Sequence, residues 1–308
     1  MSNESYPASA PADGAGRLHR TVSEHYGRLR DVLVYSSLYL VVIAMVEVLT
    51  VMMALSLPLS PAPLVVGLVT FAVYVGDRVA DADTDELSNP EQSAFMRRHA
   101  KTLSTLSAAA YGLALAISIV GGPLALAITL LPGAFWVLYA SDWLPSAGAH
   151  FKRLKDVLVV NSAVVAGAWA IAVLFLPLAF ADAAFTPTAA VVLTYFFVDT
   201  FVNTEIPNVG DREADAAIGV STLPVVFGVD RTRRILYGID AFLVAFVSWA
   251  FLDGLLSAAL TAGILVGLAY AFVLASFVGR SENYGRLSIA GEAKHLVVIA
   301  VVLGIAVV

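Results

Sequence analysis

Residues 191–225 read VVLTYFFVDTFVNTEIPNVGDREADAAIGVSTLPV, an apolar run that ends in the acidic cluster Asp211-Arg212-Glu213-Ala214-Asp215. Asp211 and Asp215 are four positions apart, so a helix places both carboxylates on one face, where they repel unless a cation sits between them. A second cluster of the same kind closes an earlier apolar run: Asp77-Arg78-Val79-Ala80-Asp81-Ala82-Asp83-Thr84-Asp85. Here Asp77, Asp81 and Asp85 share a face, while Asp83, like Glu213, points away from it. The competing reading of such a cluster is a solvated acidic loop. Two at corresponding positions argue for a metal or a basic ligand.

The rest of the chain places these clusters at a membrane. Of 308 residues 59% are hydrophobic and 14% charged, and the mean hydropathy is +0.83, against about 25% charged in soluble domains. An all-α integral membrane protein follows. Runs long enough for a hydrocarbon core of roughly 30 Å fall near 31–56, 62–82, 101–120, 123–141, 154–178, 188–209, 232–252, 255–279 and 290–308. That makes about nine transmembrane helices in a single domain over residues 31–308. Residues 1–30 lack the apolar core of a secretory signal and read as a disordered cytoplasmic tail. The chain has no cysteine, which removes disulfides, thiolate metal sites and cysteine nucleophiles. A net charge of −6 speaks against a nucleic-acid partner.

Basic residues set the expected orientation. Arg17, Arg20, Arg28 and Arg30, then Arg78, Arg97, Arg98 and Lys101, then Lys152, Arg153 and Lys155 flank alternate connections, as do Arg212, Arg231, Arg233, Arg234, Arg280, Arg286 and Lys294. Positively charged loops stay in the cytoplasm, so the amino terminus and both acidic clusters are expected there and the carboxyl terminus outside. The clusters end the second and sixth helices, a faint repeat four helices apart that would bring them to a shared central cavity.

Magnesium takes oxygen ligands and is held by one or two carboxylates together with substrate phosphates. Arg78, Arg97, Arg98, Lys152, Arg153 and Arg212 lie in the same layer and suit a departing diphosphate. A long isoprenoid on that diphosphate would lie among the apolar helices, and aromatic faces would steady the allylic cation left behind. Tyr74, Trp136, Tyr139, Tyr195 and Phe197 are candidates.

These motifs resemble those of the UbiA superfamily of intramembrane prenyltransferases, and the resemblance runs from about residue 30 onward. In that family Asn-Asp-x-x-Asp-x-x-x-Asp follows helix two and Asp-x-x-x-Asp follows helix six. Here Asp77-Arg78-x-x-Asp81-x-x-x-Asp85 and Asp211-x-x-x-Asp215 stand in those places, the latter continued by Gly219-Val220-Ser221-Thr222-Leu223-Pro224 and then Gly228. The string Asp81 to Asp85 is similar to the subgroup that prenylates carotenoid ends, the lycopene elongases. The resemblance implies a helical bundle around a central cavity, binding a polyprenyl diphosphate through Mg²⁺ and transferring the prenyl group to a lipophilic acceptor such as a carotenoid, quinone-type or ether-lipid precursor. It implies catalytic roles for Asp81, Asp85, Asp211 and Asp215, with Asp77, Asp81, Asp211 and Asp215 at the metal. Substrate contacts are expected from Arg78, Arg97, Lys152, Arg153, Tyr139, Asn203 and Asn208.

Departures from the family pattern are Asp77 for asparagine, Arg78 for the first aspartate, and Trp143 where a lysine follows Tyr139 by four. The basic Lys-x-Arg-Pro usual after the first motif is replaced by Asn89-Pro90-Glu91-Gln92. They define a divergent branch and keep open a silent relative that binds an isoprenoid without turnover. A membrane phosphotransferase acting on nucleotide-linked alcohols needs one compact aspartate motif, which two separate clusters do not supply. A secondary transporter or cation-binding membrane protein would use Glu47, an ionisable group in mid-helix, and the polar face formed by Asn161, Asp199, Asn203, Glu205 and Asn208. Polar packing between helices explains Glu47 and that face equally well. His99, His150 and His295 are scattered, which argues against a histidine-based metal site.

Overall fold

A computed structural model of the chain describes residues 33–80, 82–83, 90–140, 160–281 and 283–306, with side chains throughout except at 133–140, 160, 161, 218 and 306. The described residues form α1 (Leu38–Ala54), α2 (Ala62–Ala80), α3 (Pro90–Ser118), α4 (Gly122–Ala140), α5 (Val160–Phe180), α6 (Pro187–Ile218), α7 (Leu223–Phe227), α8 (Val229–Leu252), α9 (Ala258–Ala275) and α10 (Tyr284–Ala306). Among them no strand occurs, as expected where lipid leaves backbone groups no partner but their own helix. Seven helices are long and apolar enough to cross a membrane by length and composition; α1 and the stretch Gly122–Pro132 of α4 are shorter.

Three helices begin or end where hydropathy alone does not put them. α3 starts at Pro90 instead of 101, α6 runs on to Ile218 instead of 209, and α10 starts at Tyr284 instead of 290. In each case a polar stretch extends an apolar helix, because hydropathy marks the part in hydrocarbon and not the end of the hydrogen-bonded ladder. α6 has 32 residues, about 48 Å of helix at 1.5 Å per residue, well beyond the roughly 30 Å of a bilayer core. The acidic pair Asp211 and Asp215 therefore sits on helix, not in a loop.

Local chemistry explains the α6 boundaries. Pro187 occupies the first turn, where no backbone N–H is needed, and the Thr186 side chain accepts from the Ala189 N–H at 3.2 Å. At the other end Gly219 takes φ 79°. Val220 N–H donates to Asp215 O at 2.9 Å and Gly219 N–H to Ala216 O at 3.3 Å, the paired bonds of a Schellman motif. Only glycine adopts that left-handed position without steric cost. Thr222 then starts the five-residue α7, with Pro224 in its first turn.

The helices close into a ring. α1 packs on α2, α5 and α10; α2 also meets α3, α4 and α5; α6 lies between α5, α8 and α10; α9 bridges α8 and α10. The main apolar core, including Val48, Val51, Leu174, Phe196, Leu243 and Leu268, fills one part of the bundle. Two smaller clusters lie nearer the acidic ends, one around Val202, Ile206 and Leu236 and one around Val75, Met96 and Leu103. Large apolar side chains such as Val42, Leu113, Phe242 and Trp249 stay exposed, as lipid-facing positions do.

Lipid gives apolar side chains no reason to bury, so close backbone approach holds such helices together. On α9, Gly263 and Gly267 provide it. A Cβ at Gly263 would lie 2.7 Å from Val302 Cγ2 and 2.8 Å from the Val298 carbonyl oxygen, and one at Gly267 2.6 Å from Val298 Cγ2. Gly263→Leu is expected to force α9 and α10 apart and destabilise the protein by about 1–3 kcal/mol, read as a lower unfolding temperature in detergent. Gly112→Ala, where nothing approaches within 4 Å, should leave that temperature unchanged.

Candidate functional site

Asp211 and Asp215 stand one turn apart on the last turns of α6, Asp211 exposed and Asp215 half-buried. The Gly219 stop returns the chain so that the Thr222 hydroxyl, on a buried residue, faces Asp215 Oδ2 at 3.5 Å. The glycine and threonine of the Gly-x-x-Thr-Leu-Pro string thus end the helix and back the second carboxylate. On α2, Asp77 is exposed in the last turn. Arg78 turns inward and donates through Nη1 to the carbonyls of Val34 and Tyr35, both at 3.2 Å. It ties α2 to the chain entering α1. The helices carrying the two acidic motifs both pack on α1 and α5.

The remaining expected residues divide. Asp81, Asp85, Lys152 and Arg153 lie outside the described residues, as does the side chain of Tyr139 on α4. Arg97 is on the polar first turns of α3, 3.5 Å from Asp83 Oδ1 and from the Ala82 carbonyl. Asn203 is buried and accepts from Lys294 Nζ at 3.0 Å. Asn208 donates to Ser162 Oγ at 3.5 Å, and that hydroxyl donates to the buried Glu205 at 2.6 Å. Both asparagines are tied into contacts between helices. Of the aromatic candidates, Tyr195 is buried in the core, edge-on to Phe196, Tyr74 is half-buried on α2, and Phe197 is exposed.

A second polar assembly lies deeper. Glu47 on α1, Trp169 on α5, Asp199 on α6, Asp240 on α8, and Lys294 and His295 on α10 each sit seven or more positions from either end of their helix, about 10 Å or more along the axis. Trp169 Nε1 donates to Glu47 Oε2 at 2.7 Å. Lys294 Nζ lies 2.6 Å from Asp199 Oδ1, each side chain 1% exposed. His295 Nε2 lies 2.9 Å from Glu47 Oε1 and 3.3 Å from Asp199 Oδ2, with its ring stacked 5.9 Å from Phe196. Half-buried Glu292 completes a group in which one donor atom each from Glu47, Glu292 and His295 lies within 4.8 Å of the others.

Charge placement and the scattered histidines gave no hint of this layer. Lys294 had read as a loop cation, and the structure buries it in α10 among carboxylates. His295 is far from the other histidines in sequence and meets its partners only through packing. The signal available was Glu292-Ala293-Lys294-His295, three ionisable residues inside an otherwise apolar run. Glu47 is hydrogen-bonded to a neighbouring helix through Trp169 and lies against His295 of another, one of the two readings its position left open.

A ring of apolar helices with a charged interior and carboxylates paired at one rim defines a multi-pass membrane protein. The model of the UbiA prenyltransferase family matches residues 48–298. The chain belongs to that family and is a membrane prenyltransferase. A UbiA homolog from Aeropyrum pernix K1, solved in its apo form, matches with a TM-score of 0.63 at 16% identity, covering 89% of this chain and 98% of that one. A UbiA homolog from Archaeoglobus fulgidus bound to GPP and Mg²⁺ gives 0.60 at 16% identity, over 88% and 99%. A digeranylgeranylglyceryl phosphate synthase gives 0.56 at 14%, over 91% and 98%. These likenesses carry the fold. No curated protein matches the sequence.

Removing one member of a buried ion pair strands the other, at a cost of about 3–5 kcal/mol. Asp199→Ala is therefore expected to lower the unfolding temperature sharply by leaving Lys294 unpaired. The double change Asp199→Leu with Lys294→Met should recover much of the loss.

Proposed function

We propose that the protein transfers a polyprenyl group from a polyprenyl diphosphate to a lipophilic acceptor, with Mg²⁺ held at the rim by Asp77, Asp81, Asp211 and Asp215, and with Asp85 completing the acidic motif. The observation that carries this reading is the α6 terminus, where two carboxylates share a face and the Gly219 stop and Thr222 hold the second in place. Their all-oxygen donor set, open to solvent on one side, fits an ion that keeps waters and shares its ligands with a diphosphate. When bound, Mg²⁺ would neutralise charge building on the leaving diphosphate. Further support comes from the family itself and from the relative bound to GPP and Mg²⁺.

The chain's own groups do the rest. Arg97, Lys152 and Arg153 are assigned to the phosphate oxygens, and Tyr139 to steadying the cation left at the reacting carbon. Arg78, committed to the Val34 and Tyr35 carbonyls, acts on the substrate by fixing the position of Asp77 beside it. Asn203 and Asn208, engaged with Lys294 and Ser162, hold α6 in register beneath the diphosphate. The prenyl chain lies among the apolar helices, where water that would quench its cation is scarce. On the strength of the basic loops we assign the amino terminus and this rim to the cytoplasm and the carboxyl terminus to the outside.

The test incubates purified protein in lipid with labelled geranylgeranyl diphosphate, Mg²⁺ and a panel of carotenoid, quinone-type, chlorophyll-type and glycerol-ether acceptors. A labelled lipid product is expected, abolished by EDTA and reduced at least 100-fold by Asp81→Ala and by Asp215→Ala. Binding of the diphosphate without product from any acceptor would make the chain a silent relative. Absence of binding would end the proposal.

A further inference from the structure

The rim carboxylates leave the interior layer without a task. Asp199 and Asp211 are twelve positions apart on α6, about 18 Å along a helix, so the two groups are separate sites. His295 is 3% exposed. Its Nε2 approaches Glu47 Oε1 and Asp199 Oδ2 at 2.9 and 3.3 Å, yet has hydrogen-bond geometry with neither. Trp169 donates to the other oxygen of Glu47 at 2.7 Å, and Lys294 lies 2.6 Å from the other oxygen of Asp199. Glu292 offers a carboxylate oxygen within 4.8 Å of both Glu47 and His295.

Those separations are the edges of a coordination sphere. Ligands at about 2.1 Å from an octahedral ion lie about 3 Å from one another. Glu292-x-x-His295 on one turn of α10, faced by a glutamate from α1, is half of the arrangement by which helical bundles hold paired transition metals. Glu47 and Glu292 together match the charge of a divalent ion beside a neutral imidazole, and Lys294 offsets Asp199. Without an ion these three carboxylates outnumber Lys294 and His295 in a layer where uncompensated charge is costly.

We propose that Glu47, Glu292 and His295 bind one divalent first-row transition ion between α1 and α10, beside the Asp199–Lys294 pair. The imidazole favours zinc or iron over magnesium, and the carboxylates also accept manganese. The ion joins the first long helix to the last and closes the ring from within. It does not depend on prenyl transfer, and a chain inactive toward every prenyl diphosphate would still bind it.

The test strips the full-length protein of metal in lipid nanodiscs, then dialyses it against micromolar Zn²⁺ or Mn²⁺ in millimolar Mg²⁺, which fills the rim site. Bound metal is counted by mass spectrometry, and Mn²⁺ is also followed by electron paramagnetic resonance. About one ion per chain is expected for the wild type and for the double variant Asp211→Asn/Asp215→Asn. Glu292→Gln and His295→Gln should weaken binding at least tenfold, and the rise in unfolding temperature on adding Zn²⁺ should vanish in Glu292→Gln. Glu292 is only half-buried, so its variant keeps the test valid if His295→Gln fails to fold. No retained ion in the wild type, retention unchanged in Glu292→Gln, or loss confined to the rim double variant would each overturn the proposal and leave an ion-pair network only.

Discussion

The contact between Lys294 and Asp199, 2.6 Å long and shut away from solvent at both ends, is the constraint on which the bundle depends. An ammonium in the middle of a membrane helix is tolerated only opposite a carboxylate. That requirement sets how α10 must sit against α6: a turn of rotation or one residue of slip would leave both charges stranded. Buried pairs contribute little net stability when compared with well-packed apolar residues. What this one supplies is register, and the Gly263 and Gly267 seam then lets α9 follow α10 closely.

Around this pair the rest of the layer falls into order. Glu47 is held from α5 by Trp169 and faces His295 of α10. Asn203 accepts a hydrogen bond from Lys294. Because α1, α5, α6 and α10 all contribute, the layer joins the first helix to the last. The rim site rests on the same frame. Asp211 and Asp215 ride on the far end of α6, whose rotation the interior has already chosen, and Arg78 ties the first motif to the chain that leads into α1.

The sequence made the rim legible because its information is local. Four-residue spacing, a glycine able to take φ 79° and a threonine three positions on act within a single helix end, and they read the same in a string as in space. The helical build and the approximate spans were legible for the same reason, since hydropathy follows the chain. The helix ends were not, because the polar turns at Pro90, Asp215 and Tyr284 continue a backbone ladder that hydropathy does not register. Asn203 and Asn208 were recognised as a polar face, but whether they meet substrate or another helix is a question of neighbours.

The sequence by itself determined a helical membrane protein, its family, and two acidic motifs with the glycine and threonine that seat the second. All of these are set by short-range spacing and by composition. Only the tertiary structure decided that Lys294 is an interior charge and not a loop cation, that Arg78 serves the backbone of residues 34 and 35, and that Glu47, Asp199, Glu292 and His295 face one another. Residues 47 and 295 are at opposite ends of the chain, and no local rule relates them. They meet because buried charges must find partners, and closing the ring is what supplies them.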